Sequence, residues 1–103
     1  MGDSGTINIG DTVEFRITVK KDPTTPLNLG GASLLQMIFM KPDNSKFVRA
    51  AILVTDGSDG KMKYKVSSSE LDMKGWWKLQ GYIELASDKL HTQIAEFEVF
   101  DNL

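Results

Sequence analysis

An all-β domain is the fold class this sequence predicts, and three observations predict it. Polar and apolar residues alternate along several stretches, turn-forming Gly, Pro, Asn and Asp recur between them at intervals of roughly ten residues, and no segment keeps a helical period long enough for a packed helix. With 103 residues, 41% of them hydrophobic and 25% charged, the chain reads as one globular domain over residues 1–103 that can bury a single core.

The elements follow in order. Residues 1–5 are small and polar and are expected to fray. Residues 6–9 give a short edge strand closed by Gly10 and Asp11. Over residues 12–20, Val13, Phe15, Ile17 and Val19 alternate with Glu14, Arg16, Thr18 and Lys20, the cleanest period of two in the chain. Residues 21–31 carry Pro23, Pro26, Gly30 and Gly31 and form a connection, with Leu27 and Leu29 folding back onto the core. Residues 32–41 are a long strand with apolar residues on both faces: Leu35, Met37 and Phe39 on one, Leu34, Ile38 and Met40 on the other. Such a strand is either covered on both sides or keeps one face for a partner.

A turn at Pro42, Asp43, Asn44 and Ser45 leads to a strand over residues 46–55, and the loop 56–60 leads to Met62, Tyr64 and Val66 alternating with Lys61, Lys63 and Lys65. Residues 67–74 are expected to form one short helical turn, with Ser68 or Ser69 accepting free backbone N–H groups and Leu71 pointing inward. In Gly75–Leu85, Trp77, Leu79, Ile83 and Leu85 share one face with Gly81, against Lys78, Gln80 and Glu84. This strand organises the rest, burying Trp77 and presenting Trp76. After a turn over residues 86–89, a last strand runs through residues 90–100. The spacing is that of an immunoglobulin-like β-sandwich of about seven antiparallel strands.

Several function classes find no support in the residues. The formal net charge is −2, which gives no electrostatic reason to bind nucleic acid, and no apolar run approaches a membrane span. The start, Met1 to Gly5, is polar and acidic, where a signal peptide needs a basic start and an apolar run. Cysteine is absent, removing disulfides, thiolate metal sites and cysteine nucleophiles. His91 is the only histidine and has no nucleophile pattern beside it, so it reads as a solvated strand residue. No catalytic residues and no cofactor or metal ligands are assigned.

Asp56, Ser58 and Asp59 offer hard oxygens, but without the spacing of a calcium loop; glycines at positive φ in a tight turn explain the segment. Lys61, Lys63 and Lys65, with Lys74 further on, read as protection of an exposed edge strand. The outward aromatics say more. If Trp77 faces in, Trp76 and Tyr82 face out, and Ile38, Met40, Ile94 and Phe100 join them where their strands are neighbours. These six residues form a candidate interface, because contiguous apolar surface marks association sites. The alternative folds Trp76 over the sandwich edge or under the Leu71 turn.

Four segments recur in one order: Pro26-Leu27-Asn28-Leu29-Gly30-Gly31-Ala32, then Met40-Lys41-Pro42-Asp43, then residues 55–64 with Asp56, Gly57 and Gly60, then Leu71-Asp72-Met73-Lys74-Gly75-Trp76-Trp77. In this the chain resembles, over residues 10–100, the immunoglobulin-like N-terminal domain of the phage baseplate upper protein and related phage and prophage tail proteins. Two positions depart from that pattern: Asn44 stands where the family has glycine, and Trp77 where it has tyrosine. The resemblance implies a non-enzymatic virion component of the tail or baseplate, present in host cytoplasm before assembly. Its partners would be other virion proteins or further copies of itself. It implies no ligand residues. The rival expectation is a carbohydrate-binding or adhesive module in which Trp76 and Tyr82 stack on glycan rings.

Overall fold

A computed structural model describes residues 6–86 and 88–101, so the fraying expected of residues 1–5 lies outside the described residues. The described chain is all-β, in eleven strand segments: β1 (Ile7–Asn8), β2 (Glu14–Thr18), β3 (Lys20–Asp22), β4 (Thr25–Pro26), β5 (Ala32–Met40), β6 (Lys46–Ala50), β7 (Ile52–Leu53), β8 (Lys61–Lys65), β9 (Gly75–Leu85), β10 (Asp88–His91) and β11 (Ala95–Phe100). The larger sheet has the order β1-β11-β9-β5-β6, with β10 also on β9; a smaller sheet has the order β2-β8-β7; β3 and β4 form a separate ribbon.

β9 is the axis of the larger sheet, as its length and pattern require. One edge pairs with β5 from Lys78↔Met40 to Leu85↔Ala32, and the other pairs with β11 and then β10. Its inward side chains Trp77 and Ile83 are fully buried. Phe15 of β2 inserts from the smaller sheet between Phe39 and Phe97, with ring centroids 5.5 and 4.8 Å away. Gly81 lets side chains of the smaller sheet pack directly on the β9 backbone, since a Cβ there would lie 2.5 Å from Met62 Cε and 3.2 Å from Ile17 Cδ1. Leu29 is buried and Leu27 packs against the core, as their place after the two prolines suggests.

Four expectations need correction. The strand expected over residues 46–55 is two: β6 belongs to the larger sheet and β7 to the smaller, and the chain crosses between them at buried Ala51, whose N–H donates to the Leu35 carbonyl. A small side chain lets the backbone bend there without leaving either sheet. The strand expected over residues 90–100 is also two, because Thr92 turns inward: its N–H donates to the Gly81 carbonyl and its hydroxyl accepts from the Gly81 N–H at 2.8 Å. Pairing is not wholly antiparallel, since β1 runs parallel to β11. β8 is the middle strand of its sheet, so Lys61, Lys63 and Lys65 protect no edge; they are the solvated side of a central strand.

The expected helical turn is also absent. Residues 67–70 form a single turn in which Glu70 N–H donates to the Ser67 carbonyl, and the cap comes from the acid, not from Ser68 or Ser69. The Glu70 carboxylate accepts from Ser67 N–H at 2.6 Å, from the Tyr64 hydroxyl at 2.8 Å and from Arg49 Nε. Val66 and Leu71 on either side are both buried, which leaves too short a span for a helix. Because Arg49 lies on β6 and Tyr64 on β8, this one carboxylate ties the two sheets together.

Burial raises the Glu70 pKa, but the Ser67 N–H, the Tyr64 hydroxyl and the Arg49 guanidinium outweigh it and hold the carboxyl below its ordinary value. A depressed folded-state pKa contributes stability that is complete above the unfolded value and is lost as pH falls through the folded one. Glu70→Gln is expected to cost about 1–3 kcal/mol at neutral pH, and to flatten the fall of melting temperature below about pH 4.5. Arg49 is 40% exposed, so water screens that pair and the Tyr64 and Ser67 bonds carry most of the effect. Thermal melts across that acid range check it; parallel profiles for the two proteins would remove Glu70 from the acid response.

Candidate functional site

The outer face of the larger sheet is fixed by register. Residues directly opposite one another form rows: Glu96, Lys78, Met40 and Lys46 in one, Gln80, Ile38 and Val48 in the next, Tyr82, Gln36 and Ala50 in a third. Ile94 stands just before the β11 pairing and meets Ile38, Met40, Lys46, Lys78 and Gln80 around a shallow depression of about 100 Å³. This is a patch of branched and flexible apolar side chains on a bed of charged ones.

The six candidate interface residues do not form one continuous set. Ile38, Met40 and Ile94 gather at the depression. Trp76, 59% exposed, faces Glu98 across the β9–β11 pair and lies diagonal to Met40. It therefore neither folds over the edge nor sits under the Leu71 turn. Phe100 is exposed at the same end of β11, next to Asn8. Tyr82 stands apart, half-buried: its hydroxyl donates to Glu84 at 2.6 Å and its ring packs on His91, centroids 4.8 Å apart. The bond to Glu84 holds its phenol above the ordinary value. Val48, 44% exposed and opposite Ile38, belongs to the patch although the sequence did not single it out. The signal was available in the alternation Phe47, Val48, Arg49, once Phe47 is known to stack on Phe39.

A larger concavity, about 590 Å³, opens between β2 and β3 on one side and the β10–β11 link on the other, with Arg16, Lys20, His91 and Gln93 on its walls. The Arg16 guanidinium already pairs with Glu14 at 2.7 Å, and the Thr92 hydroxyl is taken up by the Gly81 N–H and the Gln93 carbonyl. In this arrangement the Thr92 hydroxyl has no base beside it to activate it as a nucleophile. Among the described residues no three His, Cys, Asp or Glu side chains stand close enough to hold a metal ion. The acids of the 56–60 loop serve the turn itself: Asp56 accepts from Ser58, Asp59 from Lys61 N–H and Thr55, and Gly57 and Gly60 have φ of 92° and 72°. The carboxyl shifts resolved at Glu14, Asp22, Asp43, Asp56 and Glu70 are all downward, which is the reverse of what a general acid requires.

Both departures from the family pattern preserve the local geometry. Asn44 takes the left-handed conformation, φ 72°, that the usual glycine would supply, and asparagine tolerates it better than most residues. The indole of Trp77 donates from Nε1 to the Met73 carbonyl at 2.9 Å, so a ring N–H makes an upstream backbone contact of the kind a tyrosine hydroxyl makes.

Comparison with known proteins agrees with these landmarks. The family model described as BppU N-terminal domain matches residues 3–103, nearly the whole chain. No curated protein is similar enough to count as a relative. The match points to a phage baseplate structural protein, and hence to the virion tail and to contacts with other virion proteins. The chain belongs to the family of phage baseplate upper protein N-terminal domains.

Proposed function

We propose that this chain is a non-enzymatic, immunoglobulin-like β-sandwich that works in the baseplate through protein–protein contacts made by the outer face of its larger sheet. The observation that carries this is the cluster of Ile38, Met40, Val48 and Ile94, with Trp76 diagonal to it, on a face that no strand among the described residues covers. Side chains of this kind, ringed by Lys46, Lys78 and Glu96, match the apolar centre and polar rim of a protein interface. Replacing Ile38 and Ile94 together with aspartate is expected to leave the melting temperature within a few degrees and to abolish co-purification with assembled tail particles. Wild-type retention of the double variant in particles would overturn the assignment of this face.

The glycan alternative has less to recommend it. Trp76 and Tyr82 are six residues apart along one strand, about 20 Å, so they cannot share a sugar ring. Tyr82 is also engaged by Glu84 and His91.

A further inference from the structure

The charges around the apolar patch are arranged so that the face is complementary to itself. In the row Glu96, Lys78, Met40, Lys46, the acid lies on β11 at one side and a base on β6 at the other, with Lys78 and Met40 between them. In the neighbouring row, Ile94 at the β11 side and Val48 on β6 flank Gln80 and Ile38. Among the described residues, Glu96, Glu98, Lys46 and Lys78 stand outside every ion pair within 4 Å: those pairs are Arg16 and Lys63 with Glu14, Lys41 with Asp72, Arg49 with Glu70, and Lys74 with Asp101. Glu96 and Lys78 face each other in register yet are not in contact as a pair.

A two-fold axis placed between β9 and β5, in the plane of the face and along the strands, exchanges β11 of one copy with β6 of the other. That operation lays Glu96 over Lys46 twice, by symmetry. It lays Ile94 over Val48, and the aliphatic stem of Lys78 over Met40. Gln80 comes to lie over Ile38 with its amide nitrogen already donated to the Thr92 carbonyl at 2.9 Å, so that donor is not left bare. Turning the axis by about 15° gives the crossing of about 30° at which aligned sheets pack, without moving the central row out of register.

We infer that the partner of this face is a second copy of the same chain, and that two copies pack sheet on sheet about this axis, with Ile38 and Met40 beside the axis, Ile94 over Val48 flanking them, and reciprocal Glu96–Lys46 pairs in the adjoining row. The inference rests on the reading of this face as a contact surface and adds to it the identity of the partner. Self-complementarity of this kind is what an isologous interface requires, because a residue that meets a second residue of the other copy must have its own counterpart met by that second residue in return. Acid on β11 and base on β6, in one row on either side of the axis, are the placement that a face complementary to itself needs.

The test is charge reversal read by sedimentation velocity on the whole chain at micromolar concentration. The wild type is expected to sediment as a dimer. Glu96→Lys and Lys46→Glu, each alone, are expected to weaken dimerisation about tenfold or more, since each sets like charges together twice. Mixing the two variants in equal amounts is expected to restore the dimer, because both rim pairs become opposite again, and the double variant in one chain is expected to dimerise by itself. Val48→Asp is expected to stay monomeric in every mixture. All three substituted positions face solvent, so melting curves should match the wild type.

A wild type that is monomeric throughout, or single variants that weaken the dimer without rescue on mixing, would overturn the inference. Particle incorporation separates that failure from a failure of the underlying reading. If the wild type is monomeric but Val48→Asp is excluded from tail particles, the face binds an unlike partner and only the two-fold pairing falls. If Val48→Asp also enters particles normally, both fall.

Discussion

Trp77→Ala is expected to remove about 3–5 kcal/mol of folding stability, the range for deleting a buried tryptophan. The indole is fully buried, stacks on Phe97 at 5.9 Å and meets the edge of Phe47 at 6.2 Å, so neighbours on two different strands lose contact together. Its loss also strands the Met73 carbonyl, which accepts from the ring N–H. In a domain of this size, whose total stability falls in the range of about 5–15 kcal/mol, the melting temperature should drop by roughly 15 °C or more. Trp77→Phe is the milder change: it keeps a ring in the stack but loses the hydrogen bond and part of the indole volume, for about 2–3 kcal/mol. Urea denaturation followed by circular dichroism measures both, and a cost for Trp77→Ala below about 1.5 kcal/mol would show that the centre of the core lies elsewhere.

Gly60→Ala is expected to be nearly as damaging, although it adds only one methyl group, because Gly60 is a buried loop residue. Gly60 has φ 72°, and a Cβ there would stand 2.3 Å from the Val19 carbonyl oxygen and 3.0 Å from that of Leu27. Neither oxygen can retreat cheaply. Val19 donates its N–H to the Gly60 carbonyl at 2.7 Å and accepts from Leu27 N–H at 2.9 Å, so the loop, the end of β2 and the chain after β4 are locked through one residue. Relieving the contact breaks one or both bonds in addition to the left-handed strain, for about 3 kcal/mol or more. Gly31→Ala is the control, since a Cβ at Gly31 meets nothing within 4 Å, and its cost should stay within about 0.5 kcal/mol. Equal costs for the two substitutions, measured in the same urea series, would refute the account.

What was legible in the chain was local and periodic. Alternation settled that Trp77 goes in and Trp76 out, and it placed Val13, Phe15, Ile17 and Val19 against the core. The breaks were not legible. Ala50, Ala51, Ile52, Leu53 and Val54 lie in one apolar run, and nothing in such a run says that the chain changes sheets at Ala51. Thr92 looks like any strand threonine until Gly81 is found opposite its hydroxyl, eleven residues earlier in sequence.

The Glu70 clasp was missed for a similar reason. It joins Arg49, Tyr64 and Ser67, and a sequence read in windows finds only the local bond to Ser67. At the candidate surface, the list of outward residues could be read from parity, but their grouping could not. Which of them meet depends on the register of β5, β6 and β11 with β9. Register is what separated Tyr82 from the others and added Val48.

The parallel pairing of β1 with β11 has a mechanical side. The polypeptide arrives at Ile7 beside Val99 and departs beyond Phe100 beside Asn8, so a pull between Thr6 and Asp101 drags the two strands past each other along their lengths. Their hydrogen bonds, including that from Ile9 to Phe100, then bear the load simultaneously instead of opening in succession like a zipper. Stretching such a joint is governed by the rate at which the whole clamp yields. A building block wired in this way can pass tension from one neighbour to the next without unravelling at its ends.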